Sequence, residues 1–434
     1  MWGFAYSALL VLAWPWVHLR LRWRARKESA YAERIPERFG HVPVTVPRRC
    51  VWFHTVSAGE TIAAAGLIRE LTELFPRLPF LVTTMTPTGS EQVRERLADC
   101  VHHCYAPYDF PWAVRRFYDT VQPRLLVLME TELWPNLIEA ADRRNVPVML
   151  VNGRLSEASA RGYARLGRLT REMLGRLRWV SCQYEEHRRR FELLGVPPER
   201  LLVHGSVKFD ATLPFDHAER VYALRRRWQL ADDQAWIAAS THPGEETVVL
   251  DAHARLRRRH PRLRLVVVPR HPARSDEVAA LCRDRGFTCG RQSRSDHGGG
   301  CDVILGDTMG ELLYLYGLAD IAFVGGSLVP VGGHNPIEPA LCGVAMVMGP
   351  EVFNFTEVVA AFREAECLPL VAGPDELVES IEDALAHPEA RAAAVARARS
   401  VISANSGARG RLRRLLEQEI RACEDAPTSD GRQL

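Results

Sequence analysis

From Cys50 onward, short runs of apolar residues alternate with longer stretches in which apolar residues recur every three or four positions. The short runs predict buried strands and the longer ones amphipathic helices, an alternation that builds a parallel sheet covered by helices. Two such units are expected. The first takes strands near Val51 to His54, Phe80 to Thr84, His102 to Ala106, Leu125 to Met129, Val148 to Val151, Trp179 to Cys182 and Leu202 to His204. The second takes Trp236 to Ala239, Leu263 to Val268, Val303 to Leu305, Ile321 to Val324 and Ala345 to Met348. Residues 213–217, with Pro214, read as the linker between a first domain at 28–212 and a second at 218–406. An amphipathic run at 407–422 and a tail at 423–434, expected to lack ordered structure, follow; 296–300 reads as an exposed loop.

Ahead of these units the pattern changes. Trp2 to Leu19 is an apolar and aromatic run, followed at once by Arg20, Arg22, Arg24, Arg26 and Lys27. Residues 1–27 therefore read as a membrane anchor with a basic flank. The run lies near the lower limit of roughly 17 residues for spanning and contains Pro15, so a tilted span and a shallow insertion into one leaflet both fit. Positive charges that follow the apolar run argue against a cleaved signal peptide and keep the body of the protein on the cytoplasmic side.

Composition narrows the classes. At 434 residues with 47% hydrophobic content, the chain exceeds one ordinary core and is not a disordered protein. A formal charge of +3 gives no global case for a nucleic-acid partner, and the clusters Arg188 to Arg190, Arg225 to Arg227 and Arg257 to Arg259 read as solvated helix faces. Ten cysteines without a framework spacing fit a reducing compartment. Cys100, His102, His103 and Cys104 are the one metal-like group, but alternate strand residues face opposite ways, so packing is expected and no metal. Lys27 and Lys208 are the only lysines. A chain that uses arginine for generic positive charge makes Lys208 stand out, because an ammonium is a compact charge with a tunable proton affinity.

Open parallel sheets bind ligands at the carboxyl ends of their strands, and the chemistry falls there. Thr55 to Glu60 follows the first strand, Glu130 to Asn136 the fourth, and Gly205 to Asp210, with Lys208, the seventh. Glu60 fits either a complement to the helix dipole or a catalytic carboxylate; Glu130 and Lys208 fit either a structural ion pair or a shared site. Thr83, Thr84, Thr86, Thr88 and Ser90 fit capping hydroxyls. In the second unit, Ser240 to Glu246 and Pro269 to Pro272 are expected to supply donors, with the Arg270 fork suited to a phosphate. Asp307 to Leu312 offers a turn for a base. The stretch Ala319 to Val347 runs from a strand through Gly325, Gly326, Gly332 and Gly333, expected in left-handed turns, to Asn335 as a helix cap and Pro336 at the first helical position. The helix start suits a phosphate and Glu338 the hydroxyls of a ribose. Without a Walker lysine or an opening GxGxxG, kinase and dehydrogenase are disfavoured.

Four motifs carry a resemblance: SAGE at Ser57 to Glu60, METELWPN at Met129 to Asn136, GSVKFD at Gly205 to Asp210 and GGHNPIEPA at Gly332 to Ala340. With them, from the anchor almost to the C-terminus, the chain resembles the bacterial 3-deoxy-D-manno-octulosonic acid (Kdo) transferases. The resemblance implies an α/β GT-B fold, with two Rossmann-like domains facing across a cleft, an N-terminal membrane-anchor helix, and the run at 407–422 packing back toward the first domain. It implies inverting transfer of Kdo from CMP-Kdo to the lipid A precursor lipid IVA, at the cytoplasmic side of the inner membrane with its anionic lipids. No cofactor or metal is expected. By the same resemblance Glu60 is the general base, Glu130 and Lys208 stabilise the transition state, and Pro269, Arg270, Met309, Gly310, Glu311, Asn335, Pro336, Ile337 and Glu338 bind CMP.

Overall fold

The structure, a computed structural model, describes residues 2–230, 234–294 and 300–425. The loop expected at 296–300 therefore lies, save Gly300, outside the described residues, as does the tail from 426. The chain divides into two compact units, one comprising 1–210 and 406–434, the other 211–405.

Unit 1 is a seven-stranded parallel sheet of β1 (Val51–His54), β2 (Phe80–Thr84), β3 (His102–Tyr105), β4 (Leu125–Met129), β5 (Val148–Gly153), β6 (Trp179–Cys182) and β7 (Leu201–Val203), in the order β3-β2-β1-β4-β5-β6-β7. Strands β1, β2 and β4 are buried throughout, which is why they read as unbroken apolar runs and not as alternating ones. Strand order reverses between β1 and β4, the switch point where such sheets open a crevice for ligands. The last helix, Ala408–Asp425, runs beyond the expected end at 422 and lays Ala408, Leu412, Leu416 and Ile420 against Ala64, Ile68 and Leu71 of α2 (Ala58–Leu74). This stripe repeats every fourth residue, the spacing of one helix face. Asp210 fixes where that helix begins by accepting the backbone N–H groups of Gly407 and Arg409.

Residues Trp2–Lys27 form one helix, α1 (Trp2–Lys27). Among the described residues, however, no helix is long and apolar enough to cross a membrane, which overturns the spanning form of the anchor. The reason is visible along one flank, where Tyr6 donates to Asp109 (3.0 Å), Ser7 donates to Asn136 (2.7 Å) and the His18 ring stacks on Phe39 (4.6 Å). That flank lies on unit 1. Leu9, Leu12, Trp16, Leu19 and Trp23, spaced three and four apart, are all more than half exposed.

Unit 2 is a six-stranded parallel sheet of β8 (Ala235–Thr241), β9 (Arg264–Pro269), β10 (Cys289–Arg291), β11 (Val303–Leu305), β12 (Ile321–Val324) and β13 (Ala345–Met348), in the order β10-β11-β9-β8-β12-β13. Its switch point lies between β8 and β12. The sequence reading missed β10, a three-residue edge strand with no apolar run to mark it. The arginine clusters are bonded, not bare: Arg188 pairs with Glu185, Arg190 with Glu186, Arg257 with Asp302 and Arg259 with Glu382. Both ring nitrogens of His103 are engaged, by Thr84 and Arg34.

Replacing the helix-capping acceptor in Asp210→Ala is expected to lower stability by about 1 kcal/mol, measured by urea unfolding. An unchanged midpoint and slope would show that Asp210 does not anchor the last helix.

Candidate active site

In unit 1 the residues at the switch point are acids. Ser57 caps α2 by accepting the Glu60 N–H (3.3 Å), while the Glu60 carboxylate reaches back to the Val56 N–H (2.9 Å) and accepts the Ser57 hydroxyl (2.9 Å). This reciprocal cap holds the Glu60 side chain at the end of β1, largely buried. Burial first, then the charges of Glu132 and Glu130, push its carboxyl up to about 8, against the lowering effect of the Val56 and Ser57 bonds. Glu132, also raised by burial, accepts the Trp134 indole N–H (2.9 Å).

Glu130 leaves β4 in the left-handed conformation, φ +52°, and its carboxylate pairs with Arg154 Nε at 2.9 Å. A non-glycine residue held there is strained by about 1–3 kcal/mol, and such strain collects at functional sites. Asn152, at the end of the neighbouring β5, shares the conformation (φ +52°) and accepts the Val207 N–H (3.2 Å). That bond brings the short 3-10 turn Val207–Asp210, with half-buried Lys208, to the same sheet edge as Glu130. Arg154 escaped the sequence reading because nothing distinguishes one arginine in so arginine-rich a chain.

Unit 2 offers a different surface. After β12 the chain enters the glycine-rich loop, shaped by a buried carboxylate: Glu245 accepts the backbone N–H groups of Gly326 (2.7 Å), Ser327 (3.0 Å), Leu328 (3.0 Å) and His242 (2.9 Å). The expectation that Ser240 to Glu246 supplies donors is thus corrected for its two acids. Glu245 accepts from the loop, and Glu246 accepts from Thr241 (2.9 Å) and Arg274. Gly325 is not left-handed as expected; it is required because a Cβ there would lie 2.8 Å from the Ser240 carbonyl oxygen. The cap is also displaced. Pro336 occupies the cap position of a helix, Ile337–Cys342, only six residues long, and Asn335 serves from one residue earlier by accepting the Ile337 N–H (3.1 Å).

The residues matched to CMP binding end or follow strands of this sheet. Pro269 ends β9 and exposed Arg270 follows it. Met309, exposed, and Gly310, at φ +77°, precede Glu311, which is held by Arg220 (2.8 Å), Gln292 (3.2 Å) and Thr308. Tyr316, on the helix after Glu311, feels the charge of Glu338. Glu338 in turn accepts from Asn335 Nδ2 (3.3 Å). Histidine rings join the remaining segments: His242 meets His334 with their Nε2 atoms 2.9 Å apart, and His271 stands edge-on to His242 at 6.1 Å. His334 was not singled out by the sequence, although it lies inside the GGHNPIEPA motif.

Two Rossmann-like parallel-sheet units, with acids at one switch point and a glycine-rich loop at the other, give a fold similar to that of the GT-B glycosyltransferases. The fold is shared with UDP-GlcNAc 2-epimerase from Neisseria meningitidis bound to UDP-GlcNAc, at a TM-score of 0.58 and 14% identity over 86% of this chain and all of that one. Residues 33–211 match the family model of 3-deoxy-D-manno-octulosonic-acid transferase (kdotransferase). The 3-deoxy-D-manno-octulosonic acid transferase of Haemophilus influenzae is 38% identical over 96% of this chain and 98% of its own length, and that of Bordetella pertussis 36% identical over 95% and 97%. The chain belongs to the Kdo transferase family and is a glycosyltransferase.

Glu245→Gln turns an amide NH2 toward donors that now face carboxylate oxygens, leaving at least one buried N–H unpaired. A loss of about 1–3 kcal/mol is expected, with faster amide hydrogen exchange over residues 325–334. Exchange unchanged from wild type would contradict the clamp.

Proposed function

We propose that the protein transfers Kdo from CMP-Kdo to the lipid A precursor lipid IVA, with inversion at the anomeric carbon and without a metal. The observation that carries this reading is Glu60, a carboxyl held by its own helix cap with a proton affinity raised to about 8. A sugar hydroxyl is a poor nucleophile at neutral pH, and a carboxylate of raised basicity is suited to take its proton. In a single displacement the acceptor oxygen bonds to the anomeric carbon of Kdo, the proton passes to Glu60, and CMP departs with the electron pair of the broken sugar–phosphate bond. Glu130 with Arg154, and Lys208, are assigned to stabilising the charge that develops. Arg270, Pro269, Met309 to Glu311 and Asn335 to Glu338 are assigned to CMP.

The base must be ionised to act, so kcat/KM is expected to rise with pH and level off above about 8. Of the two like charges acting on Glu60, Glu132 raises its carboxyl more, and removing it favours the ionised form. Glu132→Gln should therefore move the acid limb to lower pH. Glu60→Gln should lower transfer by roughly 10²–10⁴-fold while CMP binding persists. Transfer near the wild-type rate in Glu60→Gln would overturn the base assignment.

The exposed stripe Leu9, Leu12, Trp16, Leu19 and Trp23 supports a docking mode in which α1 lies in the membrane surface, its apolar side in the acyl boundary and Arg20, Arg22, Arg24 and Arg26 among anionic headgroups. The proposed location is the cytoplasmic face of the inner membrane, where the lipid acceptor is confined. Burying one such side chain is worth roughly 1.5–3 kcal/mol, so Trp16→Glu is expected to weaken binding to phosphatidylglycerol vesicles about tenfold or more without changing the melting temperature. Equal partitioning of the two proteins would contradict this mode.

A further inference from the structure

The glycine-rich loop of unit 2 has the composition of a phosphate cradle but not its hydrogen bonding. In such a cradle the backbone N–H groups point at the anion. Here Gly326, Ser327 and Leu328 donate theirs to Glu245, Gly325 to Ala239 O, Gly333 to Gly326 O and His334 to Gly325 O. These donors are turned inward. With these six donors engaged, side chains become important for meeting a phosphate at this loop.

The side chains at hand are imidazoles beside an exposed guanidinium. The His242 and His334 planes are within 6° of one another, with ring centroids 5.2 Å apart and Nε2 atoms at 2.9 Å. Centroids that far apart with nitrogens that close mean the rings meet tip to tip in a common plane, as an N–H···N hydrogen bond and not a face-to-face stack. One proton lies between the two rings. The donor ring, when neutral, keeps an unprotonated Nδ1, and the acceptor ring carries its proton on Nδ1.

The surroundings push the pair toward its neutral form. Burial, then Arg270, His242 and His271, push His334 down to about 4. His242 is lowered by burial, with Arg270 and Arg274 pushing the same way, against the opposing pull of Glu245 and Glu246. His271 is lowered by burial and by Arg270, His242 and Arg274. Both acids beside His242 are already bonded, Glu245 to the loop and Glu246 to Arg274 and Thr241. Among the described residues no carboxylate pairs with Arg270.

We propose that His242 and His334, together with Arg270, bind the phosphate of the nucleotide, and that the histidine pair takes up one proton from solvent as the phosphate arrives. This rests on the reading of unit 2 as the CMP site. A nearby anion favours the protonated state of an imidazole. Protonation at the free Nδ1 of the donor ring leaves the N–H···N bond in place and makes it charge-assisted. Both rings then carry an N–H at Nδ1, which are the donors offered to the phosphate.

The test is titration calorimetry of the full-length protein with CMP at pH 7.5, in buffers of different ionisation enthalpy, with cytidine as the probe lacking phosphate. Expected are uptake approaching one proton per CMP and none with cytidine. In His334→Gln and His242→Gln the uptake should vanish and CMP affinity fall about tenfold or more, with melting curves checking that each variant is folded. CMP binding without proton uptake, or uptake and affinity that survive both substitutions, would overturn the proposal while leaving the donor assignment standing. No CMP binding by the folded wild type would overturn the donor assignment and this inference together.

Discussion

One buried carboxylate, Glu245, holds the glycine-rich loop of unit 2 in shape. It sits at the start of the helix that follows β8 and draws in the N–H groups of three consecutive loop residues after β12 and that of His242. These two strands flank the switch point of their sheet, so the bond set ties the two edges of the crevice to each other. The arrangement has a chemical consequence. The donors of this loop serve an internal anion, so in the proposed nucleotide site negative charge is assigned to Arg270 and the histidines around it.

Unit 1 uses carboxylates in the opposite sense. Glu60, Glu130 and Glu132 are gathered within electrostatic reach of one another, and Glu60 keeps a high proton affinity because burial and like charge outweigh the two bonds it accepts. Glu130 is held in a left-handed backbone conformation and neutralised by Arg154. A raised proton affinity on one acid beside an acid held in an ion pair separates their surroundings. Family membership supplies the reaction, and the two chemically distinct strand edges supply a division of labour that suits it.

Much of this was legible in the chain. Apolar runs located twelve of the thirteen strands among the described residues because central strands of parallel sheets are buried on both faces; β10 escaped because an edge strand as short as Cys-Gly-Arg leaves no such mark. Strand ends pointed to Glu60, Glu130 and Lys208, since the residues after a run are set by topology. What could not be read was partnership. Whether Glu245 faces a ligand or its own loop, and which of many arginines meets Glu130, depends on contacts between residues far apart in sequence. The N-terminal run was legible as apolar but not as one-sided, because its polar flank is defined by Asp109 and Asn136, more than a hundred residues away.

The central claim is the reaction itself. It is tested most directly by incubating the purified protein with a CMP-Kdo generating system and tetraacylated lipid A precursor, then resolving the lipid by mass spectrometry. A gain of one or more Kdo units is the expected result, and the number gained reports how far the acceptor site accommodates its own product. An acceptor mass that does not change, with a folded protein that still binds CMP, would contradict the assignment of this donor and this acceptor to the chain.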